Sequence, residues 1–215
     1  MIVRRLIVLW LAALWTAACT AAAPPQAAAD DTRYLFYLHG RIIEDQGPQG
    51  VSPRFGRYDY PGILAAFHAR GFEVRSEVRP RNTDMAAYAA QVAGEIEALI
   101  AHGVEPSHIT VVGASKGAGI TALVSTRLAR PGVRYVMLAG CNDGLIRSHD
   151  PRLSGELLSI HEASDEMVGS CRALAARSPR LQRFEEIRLN TGLGHGMVYR
   201  PLDAWVEPAA AWARR

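Results

Sequence analysis

From Tyr34 onward the chain alternates short apolar runs with longer segments of helical period. The runs predict strands at Tyr34–Leu38, Phe72–Val78, Ile109–Val112, Val133–Ala139, Leu157–His161 and Glu186–Leu189. Ahead of the third run, Thr83 or Asp84 is placed to cap a helix whose Tyr88, Val92, Ile96, Leu99 and Ile100 share one face, and Gly103 stops it. Lys116–Arg130 predicts a second helix, closed by Pro131-Gly132. Strands that alternate with helices call for a mainly parallel sheet covered on both faces. The expected fold is therefore α/β, three layers and doubly wound, with about six strands.

Two patterns place strands within that sheet. Ile109–Val112 and Tyr135–Ala139 are apolar throughout, as central strands covered on both faces must be. In Phe72–Arg79 the residues Phe72, Val74, Ser76 and Val78 alternate with Glu73, Arg75, Glu77 and Arg79, so this strand is wetted on one face and belongs at an edge. The connection Gly40–Tyr60 has no clear periodicity and carries Arg41, Glu44, Asp45, Arg54 and Arg57. Its length makes it the expected lip of a binding site, with any single one of its charges expected to face solvent.

The sequence has 215 residues, 49% of them hydrophobic and 21% charged, which suits one globular domain with a real core. Collagen-like, coiled-coil and wholly disordered chains are excluded. The formal charge is +3. Two of the positive residues, Arg4 and Arg5, lie in a leader whose removal brings the balance to about +1, so no nucleic-acid partner is expected. Lys116 is the sole lysine beside 23 arginines, a bias that suits a GC-rich coding sequence.

Met1-Ile2-Val3-Arg4-Arg5 supplies a positive start, Leu6 to Trp15 an apolar run too short to span a membrane comfortably, and Thr16-Ala17-Ala18-Cys19 a small-residue exit. This is the layout of a signal peptide over residues 1–18, followed by a flexible tether at 19–32 and a folded domain at 33–215. Cleavage after Ala18 would leave Cys19 for a lipid anchor, since Thr-Ala-Ala-Cys resembles a bacterial lipobox. Cleavage within Ala21-Ala22-Ala23 would leave a soluble protein. Both place the chain in a bacterial cell envelope, as a periplasmic, secreted or anchored protein. In that oxidising setting Cys141 and Cys171 either pair or sit as two small buried hydrophobes.

The segment Ile109 to Gly119 runs from a central strand straight into a helix, and Gly113, Ser115 and Gly117 within it fit the Gly-x-Ser-x-Gly nucleophile elbow. The turn lifts a serine hydroxyl out of the sheet and presses strand and helix together, which demands small residues on both sides of the serine. The same residues resemble the Thr-Gly-x-x-x-Gly-x-Gly nucleotide loop of short-chain dehydrogenases, with Val112 in place of Thr and Gly113, Gly117 and Gly119 in register. That reading fails: it needs a downstream Tyr-x-x-x-Lys pair, and no lysine follows Lys116. A Walker phosphate loop fails because Lys116 follows Ser115 and not a glycine.

A serine nucleophile needs a base, and the base a carboxylate to orient it. Of the seven histidines, His195 alone lies in a Gly-rich loop, Gly192-Leu193-Gly194-His195-Gly196, directly after the last strand. Asp165 follows the penultimate strand and is the favoured acid, with Asp143, after the preceding strand, as its competitor. No metal or organic cofactor is implied: His161-Glu162 lacks zinc-helix spacing, and there is no Cys-x-x-Cys.

The chain order Ser115, Asp165, His195, each beyond its own strand, resembles the α/β-hydrolase superfamily. Tyr34 to Gly40, a strand ending in His39-Gly40, is similar to that superfamily's oxyanion strand. The resemblance runs from Tyr34 to the C-terminus and implies a small serine hydrolase of esterase type with no cap domain, because the stretch from Ala139 to Leu157 is too short to hold one. It further implies that an oxyanion would be held by the N–H of Lys116 and by that of Gly40 or Arg41. The expected partner is a small-molecule ester, thioester or other acyl substrate. An acyltransferase using the same triad and a non-catalytic envelope binding protein with the same fold remain as alternatives.

Overall fold

A computed structural model describes residues 31–215. The leader, its cleavage sites and Cys19 lie outside the described residues. The elements in chain order are β1 (Arg33–Leu38), α1 (Arg41–Gln46), β2 (Val51–Ser52), β3 (Gly56–Arg57), α2 (Tyr60–His68), β4 (Phe72–Arg75), α3 (Met85–Ala101), β5 (Ile109–Ala114), α4 (Lys116–Leu128), β6 (Arg134–Leu138), α5 (Asp143–His149), β7 (Ser154–Glu162), α6 (Arg172–Ala176), β8 (Arg180–Leu189) and α7 (Asp203–Ala213).

Six strands form one sheet in the order β4-β1-β5-β6-β7-β8, every pair parallel, while β2 and β3 make a small separate antiparallel ribbon. Alternate residues of the central strands feed two cores. On one face Leu35, Tyr37, Val112, Val136 and Ile160 pack with Phe67 of α2 and Trp205 and Trp212 of α7. On the other, Phe36, Val111, Tyr135 and Met137 meet Val92 and Ile96 of α3 and Ile120 and Val124 of α4. These are the three layers expected, and the β6–β7 connection holds only the short α5, so no cap domain is evident. The chain steps outward from β1 to β4, then returns to β5 and proceeds the other way. That reversal opens a crevice at the carboxyl ends of β1 and β5, the place where open α/β sheets bind ligands.

The alternating segment lies at the sheet edge as expected, but its strand ends at Arg75 and not Val78. The Ser76 hydroxyl donates to the Tyr37 carbonyl (2.6 Å), so a side chain takes over from the ladder and the chain peels away. Arg79, expected on a wetted face, is fully buried because it lies beyond the strand. The other edge, β8, begins six residues earlier than expected, at Arg180. Its polar Arg180, Gln182 and Arg183 conceal a strand that pairs along the whole of β7. The connection Gly40–Tyr60 is partly ordered into α1 and the β2–β3 ribbon, and its Glu44 is buried, contrary to the solvent-facing expectation.

Asp84 is the cap of α3, its carboxylate accepting from the Ala87 N–H (2.7 Å), and Gly103 follows the helix at φ 92°. The helix α4 stops two residues short of Arg130, where Ala129 adopts a left-handed conformation.

Cys141 and Cys171 form a disulfide across 30 residues. It fastens the segment after β6 to the start of α6, beside an isolated bridge between Cys141 and Gly169. Closing a loop of this length restricts the unfolded chain by roughly 3.5 kcal/mol in entropy. Reduction is expected to lower the melting temperature by about 10 °C, and denatured, unreduced protein should show no titratable thiol other than Cys19. Two further titratable thiols would refute the pairing.

Candidate active site

The site is built at the carboxyl ends of β5, β7 and β8. Strand β5 turns abruptly into α4 at Ser115, whose backbone sits at φ 54°, ψ −117°, a region that costs a non-glycine residue about 1–3 kcal/mol. Its neighbours explain how the turn is held. A side chain at Gly117 would strike the Leu38 carbonyl at the end of β1, and one at Gly113 would strike the Gly117 carbonyl and the Thr121 hydroxyl. The Ser115 N–H is fixed by the Leu138 carbonyl (2.9 Å). The hydroxyl is thereby presented at the mouth of the crevice.

His195 lies in the first turn of a short 3₁₀ helix, Gly194–Tyr199, which α7 secures because Trp205 Nε1–H donates to the Met197 carbonyl (3.0 Å). The His195 Nε2 lies 2.8 Å from Ser115 Oγ, and its Nδ1 lies 2.7 Å from Asp165 Oδ2. With Nδ1 protonated and donating to the carboxylate, Nε2 is left to accept from the serine hydroxyl. The other oxygen of Asp165 takes the Met167 N–H (2.9 Å), so the carboxylate has a partner on each side and is buried. Asp143 is not part of this set: it is the exposed first residue of α5, paired with Arg147 (3.5 Å) behind the Asn142 cap.

The candidate oxyanion donors come from two helix starts. Lys116 is the first residue of α4 and Arg41 the first of α1, positions whose N–H groups have no acceptor within their own helix. The Gly40 N–H is instead directed at the Tyr58 hydroxyl (3.4 Å), which favours Arg41 of the two. Burial pushes the Tyr58 phenol up to about 12, so it stays neutral, hydrogen-bonded to Tyr37 (2.5 Å).

Two hollows flank Ser115 and His195. The larger, about 450 Å³, is walled by Met85, Leu145, Met167 and Val168 with Gly119 between them. The smaller, about 150 Å³, is lined by Phe55, Tyr58, Val198 and Tyr199. Among the described residues no group of three or more His, Cys, Asp or Glu is placed to hold a metal ion, and no helix is long and apolar enough to cross a membrane.

Solved structures share this arrangement of strands and helices. SOBER1 of Arabidopsis thaliana superposes with a TM-score of 0.55 at 17% identity, over 86% of this chain and 98% of its own. ATU1826 of Agrobacterium tumefaciens, a protein of unknown function assigned to the α/β hydrolases, gives 0.57 at 16% identity, over 85% and 84%. Est1E of Butyrivibrio proteoclasticus gives 0.53 at 11% identity, over 86% and 88%. The chain has the α/β-hydrolase fold. No protein-family model matches the sequence, and neither does any curated protein sequence. In this α/β-hydrolase fold the elbow glycines and the chain order of Ser115, Asp165 and His195 were legible from sequence; the residues that steady them were not.

Chief among these is Glu162, the last residue of β7, which is buried. It accepts from the Thr191 N–H (2.9 Å) and hydroxyl (2.7 Å) and from the Gly192 N–H (3.4 Å), and it also receives the Ser164 hydroxyl (3.4 Å), which in turn accepts from the Gly194 N–H (3.1 Å). One carboxylate thus ties the loop carrying Asp165 to the loop carrying His195. Its sequence signal is slight: an acid directly after the expected strand Leu157–His161. Burial alone would raise its pKa, yet the donors from Thr191, Gly192 and Ser164 outweigh it and hold the carboxyl below the usual range. A lowered pKa gives stability that is complete above the unfolded value and is lost as pH falls through the folded one. Glu162→Gln is therefore expected to melt a few degrees below wild type at neutral pH, with the gap closing on acidification below about pH 4.5. A gap independent of pH would contradict the charge-assisted clamp.

Proposed function

We propose that the protein is a serine hydrolase that cleaves a carboxylic ester or thioester through an acyl-enzyme. The observation that carries this reading is the unbroken chain of hydrogen bonds from Ser115 Oγ through His195 to Asp165, at the mouth of a cleft and beside the N–H groups of two helix starts. Ser115 Oγ attacks the acyl carbon while His195 Nε2 takes its proton, and the N–H groups of Lys116 and Arg41 hold the charge that gathers on the carbonyl oxygen. The imidazolium is stabilised by Asp165 and hands its proton to the departing alcohol or thiol. Water, deprotonated by His195, then attacks the acyl-enzyme and releases the acid.

The fold relatives support a hydrolytic class. Est1E, which holds ferulic acid, supports carboxylic esters in particular, since an acid is what the acyl half of such an ester yields. The reading includes a bacterial cell envelope as the compartment, supported by the leader pattern and by the Cys141–Cys171 pair, with Cys19 as the point of a lipid anchor if cleavage follows Ala18.

Purified protein is expected to be labelled by a fluorophosphonate at Ser115 and to hydrolyse p-nitrophenyl esters. Ser115→Ala and His195→Ala should each lower turnover by about three or more powers of ten with unchanged melting curves. Asp165→Asn should impair turnover strongly, whereas Asp143→Asn should leave it within twofold. Near-wild-type turnover by folded Ser115→Ala would overturn the mechanism.

A further inference from the structure

Beneath the elbow lies a set of buried charges that the triad does not use. Glu44 Oε2 receives Lys116 Nζ at 2.5 Å, and Glu44 Oε1 receives Arg79 Nε at 2.8 Å. The side chains of Glu44 and Arg79 are buried, and that of Lys116 is partly buried. Lys116 Nζ also donates to the Thr83 carbonyl (2.8 Å). The Arg79 guanidinium donates to the His39 carbonyl, and the Arg79 N–H to His39 Nε2 (3.0 Å). That last bond fixes the ring proton on Nδ1, from which it is donated to the Gly40 carbonyl (2.8 Å). Burial, helped by the Arg79 charge, lowers the His39 pKa to about 3, so the ring is neutral.

The two ends of the Glu44–Lys116 pair belong to the two helices that offer the oxyanion donors. Glu44 lies three residues after Arg41, within one turn of α1, and Lys116 is the first residue of α4. Helix α1 is six residues long, with only Ile43 and Glu44 buried, so apolar packing alone anchors it weakly. Arg79 grips the same lip from its other side, at His39, two residues before Arg41. Stability does not account for such a set, because buried ion pairs seldom add net stability over apolar replacements.

We propose that the Glu44–Lys116 pair, backed by Arg79, is a clamp that fixes the distance between the Arg41 and Lys116 N–H groups, making these three side chains positioning residues for oxyanion stabilisation. The proposal rests on the hydrolase reading above. Lys116 keeps its backbone N–H in any substitution, so its side chain can be tested apart from its donor.

Lys116→Met leaves Glu44 paired with Arg79 and the core intact. Removal of a whole oxyanion donor costs about 100- to 1000-fold in kcat; a displaced donor is expected to cost about 10- to 100-fold, with KM within twofold. The inhibition constant of a trifluoromethyl ketone, which forms a tetrahedral adduct with the serine, should rise by the same factor, as should the time needed for fluorophosphonate labelling. Lys116→Arg should recover most of the loss. Glu44→Gln, which keeps the Lys116 charge but removes its anchor, should also lower kcat; a rise in kcat would instead mean that the lysine charge acts directly. The clamp is overturned if folded Lys116→Met keeps wild-type kcat, or loses kcat with no change in ketone affinity. Ser115→Ala in the same assays separates the two ideas: if it retains activity, the hydrolase reading itself has failed, whereas an inactive Ser115→Ala beside a fully active Lys116→Met rejects the clamp alone.

Discussion

The whole site hangs on a backbone conformation that a serine adopts only under constraint. Ser115 at positive φ is held by the close approach of α4 to β1, and that approach exists only because Gly117 and Gly113 carry no side chains. The parallel sheet supplies the opposing force. Every residue of β5 is buried between β1 and β6, so the strand cannot relax sideways to relieve the turn. A rigid core is what allows the strain to persist at the surface, where it places a hydroxyl and a helix-start N–H side by side.

Around this point the fold arranges three carboxylates, each with a separate duty. Asp165 meets the imidazole, Glu162 joins the two loops that bring Asp165 and His195 together, and Glu44 joins the two helix starts. All three are supplied with donors, as buried charges must be to avoid a severe desolvation cost. The local field is therefore set by matched pairs fixed before any ligand arrives, the condition under which dipoles stabilise a developing charge without reorganising.

How much of this the sequence revealed depends on the range of the interactions. The central strands and the elbow were legible because apolar runs and glycine spacing are local signals. The expected edge at Phe72 was also local, and correct in place though not in length, since the hydrogen bond from Ser76 to Tyr37 that ends it joins residues 39 apart. Strand β8 was half hidden because an edge strand tolerates polar residues that imitate a loop. Glu44 reads as one charge among several in an irregular connection; only the fold brings Arg79 and Lys116 to it, 35 and 72 residues away. Buried ion pairs leave no periodic trace, so a residue such as Glu162 or Glu44 is recognised only after its partners are placed.

Ser115 and His195 stand 80 residues apart, with Asp165 between them, 30 residues before His195. The histidine loop is fastened in turn by Trp205, close to the C-terminus. On the proposed chemistry, a chain that has emerged from a ribosome or a translocation pore only as far as α4 exposes the serine without its base. Cleavage power thus waits until the segments that carry Asp165, His195 and Trp205 have been delivered and docked. On that chemistry, forms cut short before His195 would be silent toward any substrate around them, a safeguard written into the order of residues along the chain.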